Sequence, residues 1–263
     1  KVITIMCNQQ NYPFFRDMLK GGMTLIDTAY NIELRTRQVF IDQSHWNAEA
    51  HKFNLQQFNK TELCRVWNSE TPAPIKLILT CLWGGMKVDE INVMLAEKQF
   101  ERKCCLIQEA FQDISSFQDV EQFIEKFVGK FCEILQSSKF KIKELGVTYL
   151  SKIAFFYYWS HPNQSEFVPM IIDTHICDSY NADIISGKSL KARWNKYASN
   201  GDCFRQHKDY ISYFYDAVKS LRQETRFKEL TIPILESRLW IKDPLYPGID
   251  PRKEARRIIK KQK

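Results

Sequence analysis

Residues 149–159 read Tyr-Leu-Ser-Lys-Ile-Ala-Phe-Phe-Tyr-Tyr-Trp, and only Ser151 and Lys152 interrupt an otherwise apolar and aromatic stretch. A helix with no continuous polar face must be buried on most of its sides, so the rest of the chain has to wrap it. The sequence supplies helices to do so. Thr71-Pro72-Ala73-Pro74 disfavours helix and marks a boundary, and Ile75 to Leu82 then forms a dense apolar helical run. Met86 to Leu95 and Cys104 to Phe111 are amphipathic. Ser116-Phe117-Gln118-Asp119 has the spacing of a capping box, after which Phe123, Ile124, Phe127, Phe131 and Leu135 recur at three- and four-residue intervals. A short linking helix around Phe140 to Leu145 then reaches Gly146.

The pattern beyond Trp159 breaks at His161-Pro162-Asn163. Val168 precedes Pro169 and is therefore extended, so 167–172 is a stretched connector that lets Asp173 cap a helix ending at Gly187. Asn200-Gly201-Asp202 is a turn, Phe204 to Arg222 a long aromatic-bearing helix, and Thr231 with Pro233 opens a last helix through Trp240. Residues 1–70 are harder to assign: Val2 to Met6 fits a short strand, and Phe14 to Leu19 a short helix stopped by Gly21-Gly22. The expected fold is all-α, allowing a short N-terminal strand pair, in two lobes. One lobe is 71–175, and the other combines 1–70 with 176–263 and ends in a basic tail at 251–263.

The formal charge of +7 points toward nucleic acid only until its distribution is read. Residues 251–263 hold seven basic side chains against Glu254, and the remaining 250 residues carry 31 basic and 30 acidic groups. Any anionic partner therefore meets a local patch, with the tail acting as a mobile arm of salt-sensitive affinity or as a solubilising end. The eight cysteines show no C-x-x-C pair and no ligand-like Cys/His spacing, so reduced and mostly buried thiols are expected. No apolar run approaches the roughly 18 to 20 residues needed to span a bilayer, and the first residues lack a secretory apolar region. A cytoplasmic protein, nucleoid-associated if bacterial, monomeric and without a membrane partner, is the expectation.

Lys152 has Thr148, Tyr149, Phe155 and Phe156 three and four positions away on its helix. Desolvation there lowers a lysine pKa and favours the free amine a nucleophile needs; the plainer alternative is a lysine snorkelling from the edge of a buried helix. Asp173 follows 21 positions later, beyond a connection long enough to fold back. An N-cap carboxylate is ordinary, but its fixed geometry also suits it to face a developing positive charge.

Ile172-Asp173-Thr174-His175 resembles the Val-Asp-Thr-His segment around the catalytic aspartate of the helix-hairpin-helix DNA glycosylases, and Leu145-Gly146-Val147 resembles the start of their hairpin. The hairpin departs from the family's Leu-Pro-Gly-Val-Gly: the proline and second glycine are missing, and Lys152 lies six positions beyond Gly146 rather than four. The resemblance covers roughly 75–180 and is nearest to the 8-oxoguanine DNA glycosylase/AP lyase type. It implies a two-lobed helical bundle with a helix-hairpin-helix-like element at about 137–160. It also implies excision of a damaged or modified base from double-stranded DNA, with Lys152 as Schiff-base nucleophile and Asp173 as its electrostatic partner. Some members carry an iron–sulfur cluster on four C-terminal cysteines; only Cys203 lies beyond Cys177, so no cofactor and no metal are expected.

Other positions carry two readings. Gly146, Val147 and Thr148 are candidates for DNA contact, as are Lys188, Lys191 and Arg193 of a basic run that can equally be a solvated helix face. His175 contacts a phosphate or packs. Trp83 and Met86 wedge into the base stack, or Trp83 is a core aromatic before a Gly84-Gly85 helix stop, the commoner arrangement. Trp83, Phe155, Phe156 and Trp240 are base-pocket candidates, with Trp159 as a further stacking surface; Ser237, Arg238 and Trp240 also fit helix packing. Two alternatives accompany the glycosylase expectation: the same fold acting on an unusual modified base, for example in phage defence, and a catalytically inactive DNA-binding module.

Overall fold

The computed structural model describes residues 11–114, 117–161, 166–187, 203–240 and 249–262. Among them the secondary structure is helical, with one isolated antiparallel bridge between Tyr30 and Phe58 and no strand, as the periodicity predicts. The N-terminal strand expected at 2–6, the capping residue Ser116 and the Asn200-Gly201-Asp202 turn lie outside the described residues. The helices are α1 (Pro13–Met18), α2 (Glu33–Val39), α3 (Ser44–Ala50), α4 (Lys60–Trp67), α5 (Ala73–Trp83), α6 (Val88–Leu95) and α7 (Phe100–Gln112). They continue as α8 (Val120–Gln136), α9 (Val147–Ser160), α10 (Thr174–Ser186), α11 (Cys203–Leu221), α12 (Ile232–Trp240) and α13 (Pro251–Lys260).

The chain divides into two units. The larger takes Asp27–Ile172 and Asp202–Lys208, the smaller Lys1–Ile26, Asp173–Gly201 and Asp209–Lys263. Residues 27–70, expected with the second lobe, therefore group with the 71–172 helices. The reason is chemical as well as apolar. The Trp67 indole donates to the Thr80 hydroxyl (3.0 Å), and the Lys76 ammonium donates to the Trp67 carbonyl (3.2 Å). Every residue of α5 is buried, and α2, α3, α4, α6, α7 and α9 all pack on it. Pro72 and Pro74 start α5 where no intrahelical N–H donor is lost. It ends in a Schellman turn: Gly85 N–H bonds to Leu82 (3.1 Å), Met86 N–H bonds to Cys81 (2.9 Å), and Gly85 takes φ 89°. That turn is the glycine stop, and it settles Trp83 as a core aromatic.

α8 starts one residue after Asp119, whose carboxylate caps it by accepting from Gln122 N–H (2.8 Å). The linking helix expected at 140–145 is absent. Turns replace it, because Glu144 adopts a left-handed φ of 67° and side chains hold the backbone open. Lys103 donates to the Lys141 carbonyl (2.6 Å), and Lys143 N–H donates to Glu97 (2.7 Å). α8 and α9 are thus joined by a non-helical connection, while Phe111, Phe123, Phe127 and Tyr158 pack edge and face between α7, α8 and α9.

In the smaller unit, α10 packs on α1, α12 and α13. Its Asp183 is buried and accepts from the Phe15 N–H (3.0 Å) and the Tyr213 hydroxyl (2.7 Å), tying α1 and α11 to α10. The basic tail is not a mobile arm. Asp250 caps α13 by accepting from Arg252 N–H (3.1 Å) and Lys253 N–H (3.2 Å), Pro251 occupies the first turn, and Ala255 is buried. Total charge hid the amphipathic face of this segment.

Burial is the largest influence on Asp183 and raises its pKa from 3.8 to about 6, against the opposing bonds from Tyr213 and Phe15. A raised carboxyl pKa means the folded state holds the proton more tightly than the unfolded chain does. Its contribution is therefore full below about pH 4 and lost as pH rises through about 6. Urea denaturation should show wild-type stability falling by on the order of 3 kcal/mol across that window relative to Asp183→Asn, whose own profile lacks this component.

Candidate catalytic site

Lys152 and Asp173 are built from different physics. α9 needs burial, so its one lysine is carried inward: Lys152 is 3% exposed. Its stem lies against the Schellman turn of α5. A Cβ on Gly84 would sit 3.1 Å from Lys152 Cδ, 3.3 Å from Tyr149 Cε1 and 3.2 Å from the Thr80 carbonyl oxygen. The glycine thus leaves the groove that the lysine occupies. Lys152 Nζ donates to the Gly84 carbonyl (3.3 Å) and stands 5.9 Å from the centroid of Trp83 and 5.7 Å from that of Tyr149. Burial pushes the Tyr149 phenol up to about 12 and the neighbouring Cys81 thiol up to about 12, with Lys152 pulling the thiol the other way. Both stay protonated at neutral pH.

Ser151 is also buried, and its hydroxyl has two partners. It donates to the Thr148 carbonyl (2.9 Å) and accepts from Ile172 N–H (2.9 Å). The residue before the lysine is therefore bonded to the residue before the aspartate. This bond ties the extended connector to α9 within the larger unit.

Asp173 begins the smaller unit's central segment. It is 6% exposed, takes extended φ/ψ of −124° and 174°, and caps α10 by accepting from His175 N–H (2.9 Å) and Ile176 N–H (3.0 Å). The expected cap is in place. Burial, then the Arg252 guanidinium, lowers the His175 pKa, so the imidazole is neutral at neutral pH. Among the described residues its Nδ1 is buried without a hydrogen-bond partner, which fits packing better than a cationic phosphate contact.

The other expected positions separate clearly. Gly146 is the exposed N-cap of α9, with no side-chain cap and open space where a Cβ would go; Val147 and Thr148 follow half-buried. Trp83 packs edge-on against Phe156 (5.0 Å) and Tyr30 (6.3 Å). Phe155 and Phe156 have no solvent-exposed face, which corrects the expectation that they line an open base pocket: an apolar helix wrapped on most sides turns these rings into core. Trp159 keeps partial exposure. Trp240 belongs to the smaller unit, where Arg252 donates to its carbonyl (2.8 Å) and lies over its ring (5.4 Å). Ser237 and Arg238 hold the N-terminal segment, the first through Ile26 N–H (3.2 Å) and the second through the Thr24 carbonyl (2.8 Å). Lys188, Lys191 and Arg193 lie outside the described residues.

Sequence spacing missed one constellation. Cys132, Cys203 and His207 converge in the larger unit with one donor atom each inside 4.8 Å of the others. The four-residue interval from Cys203 to His207 was its visible half; Cys132 is 71 residues away from Cys203, beyond any local pattern. Protein-family models, curated proteins and solved structures offer no match to the chain.

Two substitutions test this geometry. Ser151→Ala leaves the Ile172 N–H buried without an acceptor, and equilibrium unfolding should show a loss of about 1–3 kcal/mol. Gly84→Val should displace the Lys152 stem from its groove, seen as faster reductive methylation or altered chemical shift of the lysine, at about 1–3 kcal/mol of stability.

Proposed function

We propose that the chain is a DNA glycosylase with associated AP lyase activity, acting on an oxidised or otherwise modified base. The observation that carries this is the setting of Lys152: a single amine drawn into an apolar wall of Trp83, Tyr149 and Gly84, on a helix whose preceding serine binds the connector leading to Asp173. The Ile-Asp-Thr-His segment supports the same assignment by resemblance. So does the uncapped, exposed N-terminus of α9 at Gly146, the kind of helix end that suits a phosphate.

In the proposed reaction the modified nucleotide leaves the duplex, because its anomeric carbon is unreachable within the stack. The Lys152 amine attacks that carbon, the glycosidic bond breaks, and the base departs with the proton the nitrogen gives up. Opening of the sugar yields a Schiff base, from which β-elimination expels the 3′ phosphate. Asp173, held rigid by its two backbone N–H donors, stabilises the oxocarbenium-like charge without reorganising. An oxidised purine of the 8-oxoguanine kind is the leading substrate.

A specific observation favours a second reading. Lys152 donates to the carbonyl of Gly84 at the end of α5, a bond that lysines make as helix C-caps. On that reading Lys152 is structural, and the protein binds DNA without cutting it.

Borohydride trapping on duplexes bearing single lesions or abasic sites separates the two. The glycosylase predicts a covalent adduct that Lys152→Gln abolishes; binding with no adduct on any lesion overturns it. Asp173→Asn keeps a capping side chain while removing the charge, so single-turnover excision should slow by on the order of a hundredfold or more with little change in melting temperature.

A further inference from the structure

Cys132 lies in the last turns of α8 and Cys203 begins α11, both in the larger unit. Their Sγ atoms are 2.6 Å apart, and the His207 Nδ1, one turn along α11, is 3.4 Å from the Cys203 sulfur. His207 is itself held by the Cys203 carbonyl (2.6 Å) and by packing against Phe131 (5.3 Å). We propose that Cys132 and Cys203 are a reversible dithiol/disulfide pair in which Cys203 is the attacking sulfur, His207 its positioning residue and Cys132 the resolving thiol.

Donor number sets this apart from a closed metal centre. Among the described residues Cys132, Cys203 and His207 bring three donor atoms within 4.8 Å of one another, one short of the four that a structural zinc takes. Two adjacent thiols are, in contrast, all that a disulfide needs. Roles within it follow from position. Cys203 stands at a helix start beside an imidazole, both of which favour the thiolate, and the bond from Cys132 together with His207 holds its pKa below the ordinary thiol value. Cys132 is shifted upward by the same shared proton and by burial. The two cysteines are 71 positions apart and enclose Lys152 and Asp173 between them, so oxidation would close a covalent loop around the segment that carries both.

The oxidant required is a small-molecule disulfide. The Cys203 thiolate attacks one of its sulfurs and the oxidant's S–S bond breaks, releasing one thiolate and leaving a mixed disulfide. Cys132 then attacks the Cys203 sulfur, its proton passing to the second departing thiolate. The protein dithiol is oxidised and the small disulfide is reduced to two thiols. Both cysteines retain some accessibility, 7% for Cys132 and 8% for Cys203.

Incubating the folded, full-length protein with oxidised glutathione, blocking remaining thiols and mapping peptides by mass spectrometry tests this directly. Exposed Cys105 is the internal reference; burial and the nearby Glu109 and Glu101 raise its pKa, so simple accessibility and thiolate character make opposite forecasts. The expected result is a Cys132–Cys203 cross-linked peptide, reversed by phosphine, formed before Cys105 is modified. Cys132→Ser should instead accumulate glutathione on Cys203 at least about tenfold faster than on Cys105, and Cys203→Ser should leave Cys132 unmodified. Wild-type protein in which Cys105 is modified while Cys132 and Cys203 remain alkylatable overturns the proposal without reference to any variant. So does stoichiometric zinc that must be chelated before either sulfur reacts, which would assign the cluster to a metal.

Discussion

α5 has no polar side facing solvent, and the larger unit is organised around that fact. A helix buried along its whole length must be covered from every direction, and α2, α3, α4, α6, α7 and α9 do so. Hydrophobic burial supplies the drive, at roughly 1.5–3 kcal/mol for each large apolar side chain removed from water. Chain entropy opposes it at a comparable total, so the balance depends on how well the few polar groups taken inside are satisfied.

Several of those groups are paired, and most of these pairs tie one element to another. Thr80 takes the Trp67 indole, Lys76 the Trp67 carbonyl, and Ser151 both the Thr148 carbonyl and the Ile172 N–H. Asp183 does the same work in the smaller unit for α1 and α11. Losing one partner of such a pair costs more than the pair contributes net, because the survivor stays desolvated. Polar positions in an apolar core therefore specify which helix lies against which.

The same logic places the groups on which the proposed chemistry rests. Lys152 is the polar residue that a wrapped helix could not exclude, and it reaches the glycine turn at the end of α5. Asp173 is a cap whose rigidity comes from two backbone donors. Cys203 couples a helix start to a histidine one turn on. Each group to which a reactive role is proposed also has a structural duty, so in the proposed function the two roles fall on the same atoms.

Local order was legible in the sequence: the spans of α5, α8, α9 and α10, the glycine stop after Trp83 and the cap at Asp173 all follow from periodicity, glycine and capping chemistry within a few residues. Errors came where the deciding atom was distant or the pattern was read by composition. Glu97 and Lys103 hold open the 137–146 connection that helical periodicity had filled, and net charge concealed the packed face of α13. Segment 27–70 joined the larger unit through Trp67 and through the packing of α2, α3 and α4 on α5, pairings that helical periodicity does not report. Sequence by itself determined the helices α5 and α8 to α10 and which residue types carry titratable or nucleophilic groups, since those depend on near neighbours. Tertiary structure alone decided that Phe155 and Phe156 are core, that Cys132 meets Cys203, and that Ser151 holds the connector to Asp173, because each rests on contacts between residues far apart in the chain.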